Sequence, residues 1–213
     1  LISDGGFESG NIYSYWSPNT NLVQGSPYIT AWAGTSAPNS GFTTVGPATG
    51  TYYAIMDQGA GSVSASLFSQ TVTVPKIFTT VNLSFDMFAD NHGTSVILGS
   101  GLNPGAVDAE LKPLAPNQNA RVDLLTTAAF NADPYTTNVR RNFYLSADAG
   151  PTPNAYTHYS FDISPDVFSN QSYVLRFANV QNQGSLVVGI DNVSIYAYRA
   201  PPPAASIGKL IVS

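Results

Sequence analysis

The run LVVGIDNVSIYAY, Leu186 to Tyr198, decides how the chain is read. Leu186, Val188 and Ile190 place apolar side chains on even positions, whereas Val193, Ile195 and Ala197 place them on odd ones. Side chains of a β-strand alternate faces with a period of two, so a core-facing strand changes parity only at a bulge or bend. The slip falls on Asp191 and Asn192 and predicts a bulge there, with a carboxylate at the irregularity.

Working outward, short β-branched and aromatic runs recur between Gly, Pro, Asn and Ser clusters, and helical periodicity is nearly absent. The pattern predicts strands over 2–7, 51–57, 66–74, 80–89, 120–125, 156–162, 173–179 and 186–198. The clearest is VNLSFDMFA, with Val81, Leu83, Phe85 and Met87 on one face and Asn82, Ser84 and Asp86 on the other. Strands joined by connections too long for simple hairpins point to an all-β, two-sheet antiparallel β-sandwich, a jelly roll with long loops. The long segments are 11–50, 90–119 and 131–155, the last with one short helical turn near 133–139. Loops of that length in a compact domain are commonly functional. We place the sandwich domain over 1–198, followed by a proline spacer and strand-like tail over 199–213.

Composition narrows the function. Charged residues are 10% of the chain, against roughly a quarter in an average protein, so the surface is polar through hydroxyls and amides. Thirteen acids against eight bases, with no basic run, exclude nucleic acid as the expected partner. No apolar run reaches the ~20 residues of a membrane-spanning helix. With no cysteine, disulfides and thiolate metal sites are both ruled out. The chain opens at Leu1 rather than Met, and we expect a removed leader and an extracellular or cell-surface location.

Catalytic chemistry is thinly supplied. There are two histidines: His92 lies in a loop and His158 on a strand surface. No G-x-S-x-G elbow, P-loop or H-E-x-x-H is present, and no helix pattern follows GSGLNPG (99–105). Asp86, Asp90, Asp108, Glu110 and Asp123 read as scattered turn and surface acids rather than a glycosidase pair, so we read the chain as non-enzymatic. Acids do concentrate at the two ends, Asp4 and Glu8 in SDGGFESG and Asp191 in the last predicted strand. If the first and last strands are neighbours these carboxylates converge, and calcium takes six to eight oxygens from carboxylates and carbonyls.

The runs LISDGGFESGN (1–11), Trp16, TGTYYAIM (49–56), SQTVTVP (69–75), VNLSFDMFAD (81–90) and IDNVSI (190–195) together resemble the galactose-binding-like jelly rolls. That class includes carbohydrate-binding modules of bacterial glycanases, and the chain also resembles uncharacterised secreted bacterial β-sandwich proteins. The resemblance implies a structural calcium that joins the start of the domain to its end, with side-chain ligands Glu8 and Asp191, a carbonyl from Thr51, and less securely Asp4. It implies a non-catalytic module that binds carbohydrate or another cell-surface polymer. Sugar recognition rests on aromatic faces with amides beside them. We expect Trp32 and Tyr28 to be exposed in the aromatic loop, Phe88 to point to the solvated face of its strand, and Trp16 to lie in the core. The alternative is a structural subunit of a filament, sheath or surface layer, with Ile207, Leu210, Ile211 and Val212 docking on another copy by strand addition.

Overall fold

The computed structural model describes residues 1–24, 27–59, 63–93, 101–105, 107–110, 112–146 and 153–199. Of the spacer and tail only Arg199 is among them, so Ile207, Leu210, Ile211 and Val212 lie outside the described residues. The strands are β1 (Ser17–Gln24), β2 (Pro27–Trp32), β3 (Tyr53–Gln58), β4 (Val63–Thr73), β5 (Thr80–Asn91), β6 (Asn119–Thr126), β7 (Arg141–Leu145), β8 (Thr157–Asp162), β9 (Ser172–Gln181) and β10 (Leu186–Tyr198). They form two five-stranded sheets, β1-β4-β9-β6-β7 and β2-β3-β10-β5-β8, with every pairing antiparallel. The jelly-roll sandwich expected from the sequence is the fold.

β10 spans the residues that opened the reading and carries the bulge. Asp191 pairs with Asp86 and Ser194 with Ser84, so two residues of β10 oppose one of β5. Asn192 takes φ 52°, a left-handed conformation that Asn tolerates better than most residues. Before the bulge the even residues face the core, and after it Val193 and Ile195 do.

The core between the sheets is aromatic. Trp16 is 2% exposed, as expected, and its ring meets Phe7, Phe68 and Phe177 at centroid distances of 5.5, 5.3 and 6.0 Å. At one end the apolar core gives way to buried amides. Gln58 Nε2 donates to Ser66 Oγ and Asn179 Oδ1 at 2.7 and 2.9 Å, and Gln118 Nε2 donates to Asn91 Oδ1 at 3.0 Å. Buried polar groups that satisfy one another specify a single arrangement, and here they pin loops as well as strands.

Several sequence expectations are corrected. Residues 2–7 form turns rather than a strand, though they still lie along β10: Val193 N donates to the Gly5 carbonyl at 2.9 Å. The segment 11–50 contains β1 and β2. The helix is α1 (Thr127–Ala132), capped by Thr126, whose side chain accepts from Ala129 N; the turn expected at 133–139 is irregular. No helix among the described residues is long and apolar enough to cross a membrane.

Candidate functional site

The outer face of the β2-β3-β10-β5-β8 sheet carries the residues the sequence put forward for ligand contact. Tyr28, on the edge strand β2, is 45% exposed as expected. Trp32 is half-buried, and its indole N–H is committed to the Ser36 carbonyl at 2.9 Å. Phe88 does point to the outer face but is only 2% exposed, because that face is covered. Ala37 and Phe42 from the connection after β2 pack over it together with Tyr156, whose ring meets Phe88 edge-on at 5.0 Å. Phe88 is therefore the floor of a second small core, not a platform for sugar.

The covering segment is held down by carboxylates. Asp57 Oδ2 accepts from Asn39 N and Ser40 N at 2.5 and 2.8 Å, and Asp191 Oδ2 accepts from Ala48 N and Thr49 N at 2.9 and 3.0 Å. Glu8 Oε1 accepts from Thr51 N and Tyr52 N at 3.0 and 3.1 Å. Under the cover lie three polar atoms with no hydrogen-bond partner among the described residues: Asp57 Oδ1, Asp90 Oδ2 and His92 Nε2. Burial raises the Asp90 pKa to about 6, although Asn154 opposes the shift with two hydrogen bonds.

The predicted calcium ligands separate into two groups. Glu8 and Asp191 do converge: a Cβ built on Gly6 would lie 3.7 Å from Glu8 Cγ and 3.9 Å from Asp191 Oδ1. Asp191 is fully buried with no cationic side chain paired to it among the described residues, and burial raises its pKa against hydrogen bonds from Thr49, Asn192 and Ala48. Thr51 is at the corner but presents its N–H to Glu8. Asp4 is turned away, its Oδ2 accepting from Ser9 Oγ at 2.6 Å, so it closes a local turn. Among the described residues no three acids or histidines cluster tightly enough to hold a metal by side chains alone. Both carboxylates accept backbone N–H groups and keep lone pairs beyond those the amides occupy.

A cavity of about 440 Å³ lies elsewhere, on the outer face of the β1-β4-β9-β6-β7 sheet. Its rims are the segments 101–103 and 133–137, with Asn21 of β1 on its sheet side. Ala65 and Leu67 of β4 and Ala178 and Val180 of β9 make a small apolar patch beneath, onto which Leu102, Phe130 and Tyr135 pack. The first rim is fixed by the amide network: Asn117 Nδ2 donates to the carbonyls of Gly101 and Asn103 at 3.1 and 2.7 Å. The second rim is fixed by Arg176, which is fully buried and donates to the carbonyls of Pro134 and Thr136 at 2.6 and 3.0 Å. Its charge is met by Asp123 at 2.5 Å, which also pairs with Arg121 at 2.7 Å. The two rims also approach each other closely, since a Cβ on Gly101 would fall 2.4 Å from Thr137 Cγ2. Asn21, Asn103, Asp133 and Thr137 are exposed along the groove, so hydroxyl, amide and carboxylate groups face solvent beside a half-buried tyrosine. None of these residues was singled out from sequence, since they sit on irregular segments without periodicity.

No protein-family model matches this chain, and no curated protein sequence matches it. Solved structures do. TmCBM61, in complex with β-1,4-galactotriose, is 10% identical over 92% of this chain and 97% of its own, with a TM-score of 0.51. The enzymatically active domain of tailspike protein 4 of bacteriophage CBA120 is 15% identical over 92% of this chain, which spans 21% of that one, with a TM-score of 0.51. The K3 cleaved adhesin domain of Lys-gingipain from Porphyromonas gingivalis w83 is 13% identical over 90% of this chain and 96% of its own, with a TM-score of 0.50. At these identities the likeness is one of fold: the chain shares the β-sandwich of these domains.

Proposed function

We propose that this β-sandwich is a non-catalytic carbohydrate-binding module of the cell surface or extracellular space, and that its site is the groove between segments 101–103 and 133–137. The observation that carries the reading is the groove itself, a preformed polar cleft with both rims fastened by buried hydrogen bonds. Binding sites of this kind are largely preformed, and rigid rims lower the ordering cost of binding. Asn21 offers an amide donor and acceptor, and Asp133 carboxylate acceptors, of the kind neighbouring sugar hydroxyls require. Asp133 Oδ1 accepts from Tyr135 N at 2.9 Å, which orients the carboxylate and leaves its second oxygen for a ligand.

A structural calcium held by Glu8 and Asp191 belongs to the same proposal. It would supply positive charge to a corner where a buried carboxylate has none, and would tie the first turn to the last strand. The sugar-binding role passes from Trp32 and Phe88, whose surfaces are occupied, to the groove. The test is titration against a panel of neutral and acidic oligosaccharides. The double variant Asn21→Ala, Asp133→Ala is expected to weaken binding at least tenfold, roughly the loss of two good hydrogen-bonding groups, with the fold intact. Trp32→Ala is expected to leave affinity unchanged, and a loss confined to Trp32→Ala would move the site to the other sheet.

A further inference from the structure

A second cavity, of about 330 Å³, lies across the edge strand β1 from the groove, between Pro18, Asn19 and Thr20 of β1, Ile29 of β2 and Tyr13. Tyr13 is the most exposed of the large apolar side chains among the described residues, at 72%. It is nevertheless rigidly presented. The 3₁₀ turn Ile12–Ser14 is capped by Asn11, whose side chain accepts from Tyr13 N at 3.1 Å, and Trp16 N donates to the Ile12 carbonyl at 3.0 Å. The flanking residues Ile12 and Trp16 are 1% and 2% exposed, so the turn is nailed into the core on both sides of an aromatic ring that faces water.

The two cavities adjoin through Asn19. Asn19 pairs with Leu67 and Asn21 with Ala65, so both asparagines lie on the outer face, about 7 Å apart along β1. Asn19 lines the second cavity, and its Oδ1 accepts from the hydroxyl of Tyr135, which lines the first, at 3.4 Å. β1 pairs with β4 alone in its sheet, so its other edge presents backbone polar groups toward the second cavity. An exposed ring on an anchored turn, with an amide and a hydroxyl beside it, is the chemistry that stacks on the apolar face of a pyranose and bonds its hydroxyls.

Building on the glycan reading of the groove, we infer that the binding path continues over the β1 edge past Asn19 onto Tyr13, and that the ligand is a linear polysaccharide that fills both cavities. The groove holds one segment of the chain and Tyr13 a second. Asn19 of the second lining and Tyr135 of the first are in contact, which marks the passage from one cavity to the other.

The experiment is calorimetric titration with neutral β-1,4-linked gluco-, galacto-, manno- and xylo-oligosaccharides of three and of six units. In the wild type the hexamer of the preferred sugar is expected to bind about tenfold more tightly than its trimer, the gain of one stacked anchor. Tyr13→Ala is expected to remove that gain while leaving trimer affinity within about twofold, and Tyr13→Trp to restore it. Trimer binding with no gain for the hexamer, or an equal gain in Tyr13→Ala, overturns the extension and leaves the groove reading standing. Silence of the wild type across all the sugars overturns both.

Discussion

Asp90 provides a sharp test of the cover over the second sheet. Its side chain is fully buried, Oδ1 accepts from Asn154 N and Nδ2 at 2.8 and 2.9 Å, and Oδ2 has no partner among the described residues. Burial carries its pKa from 3.8 to about 6. That difference corresponds to about 3 kcal/mol by which folding favours the neutral over the charged form. The sign runs toward acid. Between 3.8 and 6 the folded protein holds a proton that the unfolded chain has lost, so the contribution is full below 3.8 and is lost as pH rises through 6. His92 runs the other way: burial lowers its pKa from 6.5 despite Asp57 nearby, so its contribution is full above 6.5 and falls away as pH drops.

Asp90→Asn removes the charge and keeps a carbonyl oxygen for Asn154. Wild type and variant share His92, so the difference between their melting curves isolates Asp90. At pH 7.5 the variant should melt higher by about 3 to 8 °C, the conversion of 1–3 kcal/mol for a chain of this size. At pH 4 the difference should shrink to nothing or reverse. A difference equal at the two pH values, or a variant less stable at both, would refute the reasoning that Asp90 is a buried charge without adequate compensation.

Chelation after calcium loading should lower the melting temperature of the wild type, and Asp191→Asn should lower it in calcium while abolishing the response to chelator; a wild type indifferent to both metal and chelator removes the calcium. Gly189→Ala should destabilise by about 1–3 kcal/mol in denaturant titration, since the added Cβ would lie 2.0 Å from the ring of the buried Phe88. Arg176→Met should cost about 3–5 kcal/mol, because it strips a partner from the buried Asp123. It should also weaken glycan binding in the surviving folded fraction, because it frees the 134–136 rim.

The strands legible from sequence were those with one face in the aromatic core. β5 alternates cleanly because Val81, Leu83, Phe85 and Met87 are all buried against it, and β10 announces even its bulge. β1 (SPNTNLVQ) and β2 (PYITAW) were read as loop because they are edge strands, the first with polar residues on both faces and each with proline at or near its start. Phe88 shows the limit of the method. Alternation identifies the face a residue takes, but whether that face meets water depends on a segment elsewhere in the chain, here 33–50. The convergence of Glu8 with Asp191 was legible because both chain ends carry acids beside small residues. The groove was not, since its rims owe their shape to amides such as Asn117 and to a buried Arg176, and neither leaves a periodic trace.

Seven acids of this weakly charged protein share one use. Asp57, Asp191 and Glu8 accept backbone N–H groups from the 39–52 stretch, Asp108 from Glu110 and Lys112, Asp133 from Tyr135, Asp162 from Ser164 and Asp90 from Asn154. A carboxylate that captures amides fixes a loop without needing a cationic partner, so few bases are required and long loops can still be ordered. Asn21 and Asp133 present exposed polar groups on the opposite sheet, along the groove proposed to hold a glycan.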